Sequence, residues 1–321
     1  MDKLINKLIN GDKRSVARAI TIIENNQQPE KKQLIKLLYP YTGKAKIIGI
    51  TGPPGAGKST LVDGLLYHIR KQQLTVGIIA IDPSSPYSGG AILGDRIRMQ
   101  HHALDPGVFI RSMGNRGELG GLAKATEETV KVLDAMGNDL IIVETVGVGQ
   151  SELEIMNTAD TTVVVLHPST GDSIQTAKAG IMEIADIFVI NKSDLQGAEK
   201  MAYELEMLIG RTSSTVGWQK KLVKTIGTEK QGIDQLWESI REHQQFLASS
   251  ELFQKKRAGS LHRDFKSYLH ELFQLQVDKH LKQAYPNQAD LVQEMSRKGS
   301  WQVAEEIYDK LLKPQIKEKA D

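Results

Sequence analysis

The chain has 321 residues, 40% hydrophobic and 25% charged, with a formal net charge of only +2 and no cysteine. That length admits one large α/β domain with additions, or two domains, with a sizeable core. The near-neutral balance gives no reason to expect nucleic acid as the main partner, the lack of cysteine excludes disulfides, thiolate metal sites and thiol catalysis, and no stretch approaches the roughly 18 consecutive apolar residues of a membrane span. The opening Met1-Asp2-Lys3-Leu4-Ile5-Asn6-Lys7 lacks a secretory hydrophobic region, so a cytoplasmic location is expected.

Residues 1–45 read as a helical segment. Asp12 is placed to cap a helix whose apolar positions Val16, Ala19, Ile20 and Ile23 recur at helical spacing. Pro29 opens another, carrying Leu34, Leu37 and Leu38, and the many lysines here read as a solvated face. Residues 40–46 read as a linker. From 46 to 242, β-rich runs at 47–50, 75–81, 108–111, 140–144, 161–166 and 187–190 alternate with helical stretches. Several runs are apolar throughout, as parallel strands covered on both faces are. The pattern predicts a doubly wound, mostly parallel α/β domain, whose ligand lies beyond the carboxyl ends of the strands.

The first run leads into Gly52-Pro53-Pro54-Gly55-Ala56-Gly57-Lys58-Ser59-Thr60, which fits the phosphate-binding pattern G-x-x-x-x-G-K-[ST] between a strand and an amphipathic helical stretch, 61–69. The glycines let backbone N–H groups approach a polyphosphate, and the helix start adds unpaired N–H groups and a positive dipole end. Lys58 is expected to reach the β- and γ-phosphates and Ser59 Oγ to bind Mg²⁺. The second strand ends at Asp82, before Pro83-Ser84-Ser85; its carboxylate is a candidate metal ligand, or a turn cap before proline. Residues 88–96 are glycine-rich and polar, and read as a switch-like loop carrying Asp95 and Arg96 towards the phosphates. His101-His102 has no third ligand at a convincing spacing and reads as helix surface rather than a metal site. Arg116, in a second glycine-rich segment, suits phosphate or a partner.

The run ending at Glu144 continues Thr145-Val146-Gly147-Val148-Gly149-Gln150. An acid at a strand end with glycine three residues on suits γ-phosphate sensing, Glu144 towards the metal and Gly147 N–H towards the phosphate. Val148 stands where many G proteins carry a water-orienting glutamine, so slow intrinsic hydrolysis is expected, with Gln150 a weak substitute. The last run ends Asn191-Lys192-Ser193-Asp194, an N-K-x-D sequence. The Asp194 carboxylate can accept from guanine N1 and N2, a donor pair adenine lacks; Asn191 and Lys192 would brace the loop and cover the base. Residues 243–321 are charged and helical, with apolar positions Leu261, Phe265, Leu269, Leu272 and Phe273, then Trp301, Ala304, Ile307, Leu311 and Leu312. They read as an appended helical arm suited to self-association, although periodicity alone does not separate burial within a chain from burial between chains.

These motifs, above all Glu144-Thr145-Val146-Gly147-Val148-Gly149-Gln150-Ser151-Glu152, resemble the MeaB/ArgK group of GTPases, chaperones of cobalamin-dependent acyl-CoA mutases also described as lysine/arginine/ornithine transport ATPases or kinases. The resemblance runs over nearly the whole chain. It implies a P-loop NTPase with helical extensions, 1–45 and 243–321, on a GTPase domain, 46–242. It implies a homodimer that binds Mg²⁺ with GTP or GDP, hydrolyses GTP slowly, and is stimulated by a partner such as methylmalonyl-CoA mutase or a relative, whose cofactor delivery it gates. By matching positions, Lys58 and Ser59 act on phosphates and metal, while Asp82, Asp95 and Glu144 surround the metal. Ile226, Gly227 and Thr228 align with the family's second guanine loop, Gly227 N–H being available to guanine O6 where the usual serine is absent. Residues 171–178 match a partner-sensing segment; Gln175 and Lys178 keep its usual sequence, while Ser173, Thr176, Ala177 and the following Ala179 depart from it. Competing readings are an ATP-dependent kinase or ATPase accessory to lysine/arginine/ornithine transport, a nucleotide-gated binding module that does not turn over alone, and a nickel-inserting GTPase, against which the lack of cysteine and of a histidine-rich tract argues.

Overall fold

The computed structural model describes residues 1–82, 102, 104–114, 121–145, 156–168, 182–211 and 217–312. These fall into two compact units, 1–253 and 254–321.

Each apolar run becomes a strand: β1 (Lys46–Thr51), β2 (Val76–Asp82), β3 (Val108–Gly114), β4 (Leu140–Glu144), β5 (Thr161–Leu166) and β6 (Ile187–Asn191). A seventh, β7 (Lys221–Thr225), was not legible as a run. It lies at the sheet edge, pairing with β6 alone, and its Leu222 and Val223 are flanked by the lysines Lys221 and Lys224. Edge lysines keep such a strand from pairing with another chain, and they also dilute its apolar signal. The sheet order is β3-β2-β4-β1-β5-β6-β7 and every pairing is parallel.

The strands are apolar throughout because both faces are covered. In β1, Ile47 joins one core while Ile48 and Ile50 join the other, the alternation that a two-residue repeat imposes. Over the second face lie α4 (Lys58–Lys71), with Leu61, Leu65 and Ile69, and the helix Ile233–Ser249, with Leu236 and Ile240. On the opposite, first face α6 (Ala198–Arg211) sets Met201 and Leu205 against Val164, Phe188 and Ile190, which alternate with Val163, Val165, Ile187 and Val189 of the second-face core. The first face is covered by α5 (Gly121–Ala135) and by α1 (Asp2–Ile9), α2 (Lys13–Glu24) and α3 (Glu30–Leu38), whose Ile20, Ile23 and Leu34 share a core with Ile79, Ile141 and Val143.

Asp12 does cap α2, accepting from Ser15 N–H at 2.9 Å. The lysines around it are not all a solvated face. Lys31 is buried and pairs with buried Glu128 of α5 at 3.0 Å, and Lys13 Nζ donates to the carbonyls of Asp105 and Val108 at 2.8 and 2.7 Å. Arg111 of β3 pairs with Glu24 of α2, and the Asp134 carboxylate accepts from the N–H groups of Gly43, Lys44 and Ala45. The N-terminal helices thus share the sheet's core and are pinned to it by charge.

The helix Ile233–Ser249, here α7, runs through residue 242. After it come α8 (Leu252–Ala284), α9 (Gln288–Lys298) and α10 (Ser300–Leu312). α8 buries none of its residues: Leu261, Phe265, Leu269, Leu272 and Phe273 are all exposed. Trp301 of α10 is 84% exposed, whereas Val303 and Ile307 are buried. Among the described residues no helix is long and apolar enough to cross a membrane.

Candidate functional site

The carboxyl ends of β2, β4, β1, β6 and β7, with β5 lying between β1 and β6, carry the described residues singled out in the sequence. β1 ends at Thr51, the loop 52–57 follows, and α4 begins at Lys58. Gly52, Gly55 and Gly57 have φ of 144°, 76° and 88°. Space as well as torsion demands two of them: a Cβ on Gly52 would lie 2.0 Å from the Val165 carbonyl oxygen, and one on Gly57 would lie 2.3 Å from Asn191 Nδ2. The loop is thereby folded against β5 and β6 with its backbone turned round the start of α4. Lys58 is buried and curls back over it, donating to the carbonyls of Gly52 at 2.7 Å and Pro53 at 3.0 Å. Ala56 is buried within the loop; Pro53 is half-buried and Pro54 exposed.

Ser59 Oγ, in the first turn of α4, donates to Glu144 Oε1 at 2.7 Å, and both residues are buried. Glu144 reaches this position because β4 is hydrogen-bonded directly to β1, Ile50 lying opposite Glu144. Next to it Thr51 and Thr145 join their hydroxyls at 2.8 Å. Two hard oxygen donors, a hydroxyl and a carboxylate, therefore meet at the loop's edge.

Asn191, at the end of β6 and 2% exposed, ties three elements together. Its Nδ2 donates to the Ala56 carbonyl of the loop at 2.8 Å, and its Oδ1 accepts from Thr225 Oγ1 at 3.1 Å and from Gly227 N–H at 3.0 Å. Gly227 N–H, the group aligned with guanine O6, is thus engaged by Asn191 in this structure. Ser193 N–H donates to the Thr225 carbonyl at 3.1 Å, so the 191–194 and 225–228 turns are held side by side. Lys192 sits at φ 57°, and Asp194 is exposed on the same turn. Ile226 pairs with Gln231 across a short bridge, and Thr228 is exposed. Thr60 approaches the same turn: a Cβ on Gly227 would meet its Cγ2 at 3.3 Å.

Asp82 closes β2 opposite Gly114. Asp95, Arg96, His101, Arg116, Gly147, Val148, Gln150 and the 171–178 segment lie outside the described residues. His102 contacts Asp63 at 3.0 Å, and among the described residues no three acidic or histidine side chains gather as a metal site.

One neighbour of the site was not singled out. His167 immediately follows β5, is buried, and has its pKa pushed down by that burial and then by the charges of Lys192 and Lys58. Burial and the two lysine charges of the site therefore favour its neutral form. The available signal was positional, a histidine directly after an apolar run like Glu144 and Asn191, but no motif marks it.

A parallel sheet of this order, with a G-x-x-x-x-G-K-S loop between its central strand and the following helix, defines a P-loop NTPase. The chain belongs to the Methylmalonyl Co-A mutase-associated GTPase MeaB family, whose profile matches residues 16–284. A Pyrococcus abyssi protein, named provisionally as a GTPase, is 51% identical over 285 residues, 88% of each chain. GTPase ArgK of Escherichia coli is 37% identical over 261 residues, 79% of this chain and 78% of that one. The mouse methylmalonic aciduria type A homolog, mitochondrial, is 33% identical over 321 residues, 93% of this chain and 75% of that one. Among solved structures, a LAO/AO transport system kinase superposes with TM-score 0.69 at 26% identity, covering 97% of both chains.

Proposed function

We propose that this chain is a magnesium-dependent GTPase that serves as a G-protein chaperone for a cobalamin-dependent acyl-CoA mutase, methylmalonyl-CoA mutase or a relative. One observation carries the nucleotide reading: the hydrogen-bonded line from Glu144 through Ser59, and from the phosphate loop through Asn191 to Gly227. It links the places where metal, phosphates and base would lie, so that occupancy of one bears on the others.

The glycine cradle and the Ser59–Glu144 oxygen pair fit a magnesium–triphosphate. Ser59, Glu144, Asp82 and Asp95 would hold the metal, which when bound would neutralise charge on the β- and γ-oxygens. Lys58 leaves its two carbonyl partners for the phosphates, where its ammonium offsets the charge that grows as water attacks the γ-phosphorus. Backbone N–H groups of the 52–60 loop, other than at Pro53 and Pro54, and of Gly147 would hold the phosphates in line. Asn191, Lys192 and Asp194 form the base pocket with residues 226–228, Asp194 accepting from guanine. With Val148 at the water-orienting position, turnover is slow until a partner assists. The γ-phosphate would set the shape of the loops after β2 and β4, through which the mutase and its cofactor delivery are gated.

The partner reading is supported by the family's name and by that of the mouse relative. Homodimer formation through the arm is supported by the exposed stripe of Leu261, Phe265, Leu269, Leu272 and Phe273, which a single chain leaves in water. Competition between GTP and ATP for the purified protein tests the nucleotide reading; preference for ATP would transfer support to the transport-kinase alternative. Lys58→Ala should abolish hydrolysis, and unchanged turnover would remove the mechanism. Affinity capture of the native protein should recover an acyl-CoA mutase.

A further inference from the structure

Between α1, α2 and the start of α3 runs an open groove of about 900 Å³. The helices bury one side each: Ile5 and Leu8 of α1 and Val16, Ala19, Ile20 and Ile23 of α2 join the core on the first face of the sheet. The side they leave out carries Lys3 and Lys7 of α1 and Arg14 and Arg18 of α2, all four exposed and all four lining the groove. Each pair is four residues apart, so each helix presents two cations one turn apart, roughly 6 Å along its axis. Among the described residues none of the four forms a salt bridge. Two acids share the wall. Asp12 accepts from Ser15 N–H, and its carboxyl is held below the usual range by the Ser15 hydrogen bonds first and then by the charges of Lys7 and Arg14, so the two cationic rows draw together near it. Glu30 stands exposed in the first turn of α3. Four cations against two acids leave the groove positive.

The helices gain nothing locally from these charges. Like charges at i and i+4 repel, and Arg14 lies in the first turn of α2, where the helix dipole disfavours a cation. Residues 1–46 hold ten Lys or Arg and four Asp or Glu, whereas the rest of the chain is net negative. An ordinary solvated face intersperses both signs. Departures from local preference of this kind concentrate where a surface has work to do.

We infer that this groove docks an acidic amphipathic helix of another protein, its carboxylates one turn apart against the Lys3–Lys7 and Arg14–Arg18 rows and its apolar side chains against Leu4 and Ile22. The burial of those apolar residues selects this occupant. Leu4 is half-buried and Ile22 buried, while the cations beside them are exposed. A bilayer is met by apolar side chains that project past the charged ones, which these do not. A nucleic-acid duplex is too broad to enter the groove and would leave its apolar part uncovered. A single helix, about 10–12 Å across, fits both the charge rows and the floor. The inference is independent of the nucleotide reading, because these helices lie on a face of the sheet and not at its strand ends.

The test measures, by fluorescence anisotropy, binding to the full chain of a fluorescein-labelled helical peptide about four turns long, with Glu at i and i+4 on one side and Leu on the other. A second peptide carries Gln for every Glu. The chain variants are Lys3→Glu with Lys7→Glu, Arg14→Glu with Arg18→Glu, and, as a control, Lys32→Glu with Lys36→Glu, exposed lysines of α3 that are also four apart but do not line the groove. All six residues are exposed, so the variants should fold, and their melting temperatures check this. Saturable binding of the Glu peptide is expected, weakened about tenfold or more by the Gln exchange and by either groove reversal, about twofold or less by the control, and eroded by salt. No saturable binding at millimolar chain concentration overturns the inference, as does an equal loss in the control, which would make the attraction diffuse. Vesicles of phosphatidylserine or a DNA duplex that bind more tightly than the peptide, and lose that binding in the groove variants, overturn it too.

Discussion

Asn191→Ala isolates the contact on which the candidate site turns. The side chain is 2% exposed and makes three hydrogen bonds, to Ala56 O at 2.8 Å, from Gly227 N–H at 3.0 Å and from Thr225 Oγ1 at 3.1 Å. Truncation leaves a carbonyl, an amide N–H and a hydroxyl without their partner, and Thr225 is itself fully buried. Each orphaned group costs about 1–3 kcal/mol. Water entering the space of the lost amide relieves part of that, so the low end is appropriate and the total is about 3 kcal/mol. At roughly 2–4 °C per kcal/mol for a domain of comparable size, the melting temperature should fall by about 6–12 °C. Asn191→Asp is the sharper companion. It keeps both acceptor functions but turns an oxygen towards the Ala56 carbonyl, so the loop contact becomes repulsive while the 225–227 contacts persist. Thermal unfolding with and without Mg-GTP reads both variants. GTP should rescue the wild type more than either, because the phosphate loop and the base turns no longer move as one. An Asn191→Ala protein that melts with the wild type and gains as much from GTP would refute the reasoning.

Three further outcomes follow from the same geometry. Gly52→Ala puts a Cβ 2.0 Å from the Val165 carbonyl at φ 144°, so the loop must move away from β5 and nucleotide binding should be lost more completely than stability, as seen by titration beside a melting curve. Glu128→Ala leaves buried Lys31 without its carboxylate, with the neutral Asn26 Oδ1 still accepting from it at 3.1 Å, and should cost about 3 kcal/mol in denaturant unfolding, whereas Lys31→Met with Glu128→Leu should recover much of it; an equally unstable double variant would show that packing of α3, not charge, is at stake. Burial and two lysines hold the His167 pKa below its ordinary 6.5, so the unfolded chain takes up this proton before the folded one. Its contribution is complete above about 6.5 and is lost as pH falls towards the depressed folded-state value. His167→Gln should therefore unfold with a flatter pH dependence than the wild type below that point, and parallel curves would count against the assignment.

The parts of the site written in contiguous residues were legible before any fold was known. Strand, glycine loop, Lys58 and helix lie within a few turns of chain, and their chemistry is local: positive φ, a helix start, a short reach. The other six strands were equally plain, because burial on both faces keeps their runs mostly apolar; even β3, at the opposite edge, shows Val108, Phe109 and Ile110 before Arg111. β7 escaped because an edge strand needs only half of its side chains to be apolar, and Lys221 and Lys224 broke the run.

What the residue order alone determined, then, is the P-loop class and the strand ends at which its chemistry gathers, since both follow from near-neighbour geometry and hydrophobic period. The tertiary structure decided which distant residues meet: Ser59 with Glu144, Asn191 with Ala56 and Gly227, Lys31 with Glu128. These meetings depend on the strand order β4-β1-β5-β6-β7. That order is set by how helices cover the two faces of the sheet, a property of the whole packed core that no local stretch of sequence carries.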